Sequence, residues 1–218
     1  IIKQKNNLLK NERNLNSLKS QIEVWNEQLL DVGSRIIINR GEFTEKLNDL
    51  CQKIFKNIFF PTFNINLTYY SLGKKDISQA LDSFPNMLES RLATEIERKT
   101  VVIGPHRDDL LIDLNGKSAK LFASQGQQRS AVLCLKLGEM EIILKEKGDY
   151  PILLLDDVLS ELDEYRRRFL IEYIDNSVKQ TLITMTDLDK KLIGKENAVF
   201  QVINGTIRRE NNVSSLRK

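Results

Sequence analysis

Pro151-Ile152-Leu153-Leu154-Leu155-Asp156-Asp157 is the stretch that decides the fold. An unbroken apolar run is what a strand buried in an α/β sheet requires. Two acids at its C-terminal end stand where such sheets bind ligands. Asp156 can orient Mg2+ or its water, and Asp157 can hold a water for attack on a γ-phosphate. A buried strand followed by a solvated acidic turn accounts for the same residues.

Upstream, Ser124-Gln125-Gly126-Gln127-Gln128-Arg129-Ser130 precedes a helix predicted from Gly126 to about Lys147. Ser124 with Gln127 three residues on fits a capping box. The same geometry suits phosphate: a helix N-terminus turns free N–H groups and a positive dipole end outward, and Gly126 lets a ligand approach the backbone. Downstream, Val158-Leu159-Ser160-Glu161-Leu162-Asp163 leads into a helix over Glu164 to Asp175, then a strand over Thr181 to Met185. A last hairpin is expected around Asn204-Gly205. Helices alternating with apolar strands argue for part of a layered α/β sheet.

Towards the N-terminus the pattern becomes helical. Leu8, Leu15, Ile22 and Leu29 recur every seven residues, with Leu18, Trp25 and Val32 between them. Ile36, Phe43, Leu47, Leu50, Ile54 and Ile58 form a second series, interrupted by Arg40. With Asp31-Val32-Gly33-Ser34 read as a turn, the two series predict an antiparallel helical hairpin, ended by Pro61. Phe63 to Tyr69 alternates like a half-buried strand, and Ser78 to Leu81 and Asn86 to Arg98 read as helical pieces. Val101 to Ile103 and Leu110 to Leu114 read as short strands, the latter closed by Asn115-Gly116.

Composition excludes several classes. Lys and Arg number 33 against 30 acids, so a net charge of +3 does not by itself argue for nucleic acid. The basic tail with Arg208, Arg209, Arg217 and Lys218 is as well explained by a solvated end. No apolar run approaches the ~20 residues of a membrane span. The opening Ile1-Ile2-Lys3-Gln4-Lys5-Asn6-Asn7 lacks the apolar core of a signal peptide, and a chain that opens on Ile rather than Met reads as a piece of something longer. Cys51 and Cys134 form no Cys-x-x-Cys pair and read as buried thiols. His106, the single histidine, is expected to bond locally in the Pro105 turn.

The order of signature turn, helix, strand ending in acids and Ser-x-Leu-Asp resembles the C-terminal half of an ABC-type ATPase head. Gly104-Pro105-His106-Arg107-Asp108-Asp109, Ala123 to Ser130 and Leu154 to Asp163 together resemble the RecF family of recombination mediators, in the SMC-like branch of that superfamily. The resemblance implies an α/β fold: residues 1–99 as an inserted helical-hairpin arm, and residues 100–218 as the C-terminal lobe of the head. It implies a divided ATP site in which Ser124, Gly126, Gln127, Gln128 and Arg129 meet nucleotide held by a second protomer. Asp156 would be the Walker B acid for Mg2+ and Asp157 the water-polarising residue. Ser160 and Asp163 would line the dimer seam, and Thr186 would sense the γ-phosphate.

The implied role is ATP-driven dimerisation on gapped or single-strand/double-strand junction DNA, acting with RecR and RecO to load RecA, in the bacterial cytoplasm at the nucleoid. The sequence contains no G-x-x-x-x-G-K-[ST]. Gly116-Lys117-Ser118 looks like its end, but Leu111 stands where the first glycine belongs. Weak ATPase is therefore expected of a complete dimer and none of this piece alone. An SMC-type structural ATPase and a non-enzymatic adaptor are the rival readings. An adaptor would tolerate Asp157→Asn and Ser124→Arg alike.

Overall fold

A computed structural model describes residues 1–12, 14–59, 63–177, 180–186 and 197–210, with backbone alone at 58, 59, 177 and 210. Pro61, Asp187, Arg217, Lys218 and the side chain of Ile58 lie outside these. The chain is α/β and packs as two units, Ile1–Glu146 and Lys147–Lys218.

The first unit is built on one long helix. Helix α1 (Ile2–Asn11) leads into α2 (Leu15–Ile54), whose 40 residues make about 60 Å of unbroken helix. Asn14 starts it, its side-chain oxygen accepting from the N–H groups of Asn16 and Ser17 at 3.0 and 3.2 Å. The joint of the hairpin is therefore between α1 and α2, and the turn expected at Asp31 to Ser34 is helix. Gly33 is small there for another reason: a Cβ would stand 2.9 Å from the Phe84 ring. The buried stripe runs through it, from Leu18 and Ile22 by Leu29, Ile37 and Leu47 to Ile54, with Gly41 and Thr44 on it and Phe43 off it. Arg40 lies beside that stripe rather than in it, and its Nη1 donates to the Pro105 carbonyl at 2.7 Å.

Helix α3 (Ile77–Ser90) carries Pro85 inside it and packs Ala80, Phe84 and Leu88 into the core with α2. Helix α4 (Leu92–Arg98) buries Glu95 against α1. The Lys5 ammonium stands 2.6 Å from a Glu95 oxygen, both side chains fully buried, and also donates to Asn26 at 2.6 Å. Val101 to Ile103 is not a strand. The Val101 N–H donates to the Asn6 side chain at 2.7 Å and the Val102 N–H to Glu95 at 2.9 Å, so side chains replace a sheet neighbour.

Strand β1 (Ile65–Tyr70) pairs antiparallel with β2 (Asp109–Leu114), which turns into β3 (Lys117–Ser118). Asn115 and Gly116, at φ 50° and 75°, make that turn, so Gly116-Lys117-Ser118 belongs to a β-hairpin. A short α5 (Ala119–Phe122) leads to α6 (Gln125–Lys147). Helix α6 lies close on α2, since a Cβ on Gly138 would come 2.8 Å from Leu47 and 3.2 Å from the Cys51 sulfur. Cys51 and Cys134 are both free and buried at this contact, and the neighbouring thiol and burial together push Cys134 far up.

In the second unit, β4 (Leu153–Asp156) and β5 (Thr181–Thr184) are parallel, with α7 (Glu164–Ser177) between them in sequence. Leu153 and Leu155 are buried, whereas Leu154 is 70% exposed, so among the described residues only one face of β4 is covered. Strands β6 (Val199–Ile203) and β7 (Thr206–Glu210) form the expected hairpin, turning through Asn204 and Gly205.

Candidate functional site

The signature turn lies in the first unit. The Ser124 N–H donates to Gln127 Oε1 at 2.9 Å, and the Gln127 N–H donates to Ser124 Oγ at 3.3 Å. The capping box is thus closed in both directions. Closing it leaves the Ser124 hydroxyl proton free to donate, and the N–H groups of Gln125 and Gly126 have no intrahelical acceptor within reach. Nothing lies within 4 Å of a Cβ placed on Gly126, so the chain's own packing does not require a glycine there. Its backbone is also not left-handed, which removes the other usual reason for glycine. An exposed, donor-rich turn with room for close approach suits an anion such as phosphate.

Gln128 and Arg129 stand differently. The Gln128 side-chain amide donates to the carbonyls of Ala119 and Ala123 at 3.0 and 3.3 Å, so it ties α5 to the start of α6. Arg129 lies on the exposed face of the same turn. Ser130 is fully buried and donates to the Gly126 carbonyl at 2.8 Å.

The acids lie in the second unit. Asp156 ends β4 with its carboxylate exposed, and Asp157 follows in the left-handed region at φ 53° and ψ 20°. A non-glycine residue held there carries about 1 kcal/mol or more of backbone strain. The surroundings hold it. The Asp157 N–H donates to the Thr184 carbonyl at 3.2 Å and to Thr184 Oγ1 at 3.0 Å, while Ser160 donates to the Asp157 carbonyl at 2.8 Å. The Thr184 hydroxyl in turn donates to Asp156 Oδ1 at 2.5 Å. One carboxylate oxygen of Asp156 therefore remains open to solvent, the kind of hard oxygen donor that Mg2+ takes.

Asp163 caps α7 and is committed on its own chain. It accepts from the Arg166 N–H at 2.9 Å and pairs with the Arg166 guanidinium at 3.0 Å. Arg167 donates to the carbonyls of Leu159 and Leu162 at 3.0 and 3.1 Å, which sets the turn carrying Ser160. Thr186 stands exposed just past β5. The sequence reading passed over Thr184, although the parallel register pairs it with Asp156. Counting two residues back from Thr186 along the strand would have found it.

Gly104 to Asp109 is a folded junction. Asp108 accepts from the Tyr69 hydroxyl, from Ser71 at 2.9 Å and from the Leu72 N–H at 3.3 Å. Burial and then the Asp108 carboxylate push the Tyr69 phenol up to about 12, with Arg40 opposing. His106 sits 3.4 Å from the Val101 carbonyl, a local bond of the expected kind, and burial holds it below its ordinary pKa although that bond opposes the shift. Among the described residues no cluster of His, Cys, Asp and Glu could hold a metal by itself, and no helix is long and apolar enough to cross a membrane.

No family model matches the chain. Its similarity to individual proteins is extensive. It is 48% identical over 210 residues to the DNA replication and repair protein RecF of Desulfitobacterium hafniense, covering 96% of this chain and 57% of that protein. It is 41% identical over 217 residues to RecF of Natranaerobius thermophilus, covering 94% and 56%. A solved structure of the recombination mediator protein RecF with ATP, in the RecFOR pathway, superposes with a TM-score of 0.77 at 29% identity, covering 96% of this chain and 55% of the other. The chain thus spans a little over half the length of the relatives it matches. Over that span, the chain is similar to the RecF proteins in both sequence and fold.

Proposed function

We propose that this chain is part of an ATP-dependent, DNA-binding recombination mediator that dimerises on gapped or single-strand/double-strand junction DNA and, with RecR and RecO, promotes RecA loading in repair. In this reading residues 1–99 are the arm and residues 100–218 the C-terminal lobe of the ATPase head, in a protein of the bacterial cytoplasm. The signature turn of one protomer meets the γ-phosphate of ATP held by the other. Ser124 gives its hydroxyl proton, Gln125 and Gly126 give backbone N–H groups, and Gln127 and Gln128 hold the turn in shape. Arg129 adds positive charge, Ser160 and Asp163 line the seam, and Thr186 senses the phosphate. Asp156 holds Mg2+, which when bound offsets the phosphate charge. Asp157 orients the attacking water. DNA is held through its phosphates, so binding weakens with salt.

The observation that carries this reading is the signature turn itself. A closed capping box leaves its donors facing outward at a glycine that nothing in the first unit needs. A helix cap alone gives no reason for Gly126. The test is sedimentation velocity of the whole protein carrying Asp157→Asn, with and without ATP and Mg2+. A nucleotide-dependent shift from monomer to dimer, abolished by adding Ser124→Arg, is the expected result. A folded, ATP-bound protein that stays monomeric reduces the turn to a cap and returns the function to the helical arm.

A further inference from the structure

We infer that Thr184 is a positioning residue for ATP hydrolysis, an assignment that rests on the site proposed above. Its hydroxyl sits between the two acids and works in both directions, donating to Asp156 Oδ1 at 2.5 Å and accepting from the Asp157 N–H at 3.0 Å. The direction of the first bond follows from chemistry, because an ionised carboxylate only accepts and the amide only donates. One side chain thus orients the carboxylate of Asp156 and restrains the left-handed backbone of Asp157. Thr184 is exposed, so these bonds are not imposed by burial. A hydrogen bond to a charged acceptor is shorter and stronger than one between neutral groups. The β-branched side chain helps, since it leaves the hydroxyl few rotamers.

Fixing both acids from β5 gives the site a built-in alignment between the residue that faces the cation and the residue that faces the water. A small displacement of either lowers the rate of a reaction that depends on positioning. In the reading above the Thr184 hydroxyl touches the two acids and not the nucleotide, so such a loss falls on turnover rather than on KM.

The test uses the whole protein with Thr184→Val, which keeps the shape and removes the hydroxyl, and Thr184→Ser, which keeps the hydroxyl. In Thr184→Val, kcat for ATP falls about tenfold with KM changed less than about twofold. Without nucleotide, amide exchange at Asp157 quickens about fivefold. Thr184→Ser stays near wild type in both. A Thr184→Val protein with wild-type kcat and exchange overturns the assignment, and so does Thr184→Ser as impaired as Thr184→Val, since the methyl would then be what matters. Wild-type protein without ATPase activity overturns the reading of the site itself, whereas wild-type activity unchanged by Thr184→Val overturns only the role given to Thr184.

Discussion

At the scale of single residues, environment sets chemistry more than identity does. Tyr69 is a phenol whose hydroxyl is spent on Asp108 in a buried place, and its pKa is raised to about 12 from 10.0. The folded protein therefore keeps a proton that the unfolded chain has lost once pH exceeds 10. Stability falls as pH rises from 10 towards 12. Ultraviolet titration is expected to show a late tyrosine ionisation, and Tyr69→Phe should remove that step and flatten the alkaline fall in stability. Residue-scale legibility was uneven for a related reason. Asp156, Asp157 and Ser124 stood out because their neighbours in sequence form a motif. Thr184 did not, because its partners lie 28 and 27 residues away and only strand register brings them together.

At the scale of elements, the three glycines Gly33, Gly126 and Gly138 look alike in sequence and differ in surroundings. Gly33 faces the edge of the Phe84 ring, itself fully buried and unable to retreat. Gly33→Ala should cost about 1–2 kcal/mol, overpacking outweighing the better helix propensity of alanine. Gly126→Ala, in open space, should leave urea denaturation unchanged or raise stability by up to about 1 kcal/mol. Denaturation midpoints of the two variants moving together would contradict the contrast. The same comparison explains what the sequence concealed. Asp31 to Ser34 resembles a turn because glycine is a turn residue, yet here it makes room for a neighbouring helix. Val101 to Ile103 resembles a strand because it is apolar, yet side chains supply its hydrogen bonds, Asn6 from 95 residues away and Glu95 from the helix just before it. Local pattern was enough for α6, β2 and the two Asn-Gly hairpins, whose cues are complete within a few residues.

At the scale of the molecule, contacts between distant segments hold the first unit. Lys5 and Glu95 join its first helix to α4 through a fully buried ion pair. Lys5→Met alone leaves a buried, unpaired carboxylate and should cost about 3–5 kcal/mol. Adding Glu95→Gln should recover part of that loss, measured by calorimetry, because the amide removes the unpaired charge and keeps an acceptor for the Val102 N–H. The long helix α2 has a further consequence of this kind. Its N-terminal half shares a core with α1 and α3, and its C-terminal half lies under β1 and α6. A jointed arm could melt at one end while the other survived. An unbroken one behaves as a beam, so that a push at one end reaches the other without being absorbed at a hinge.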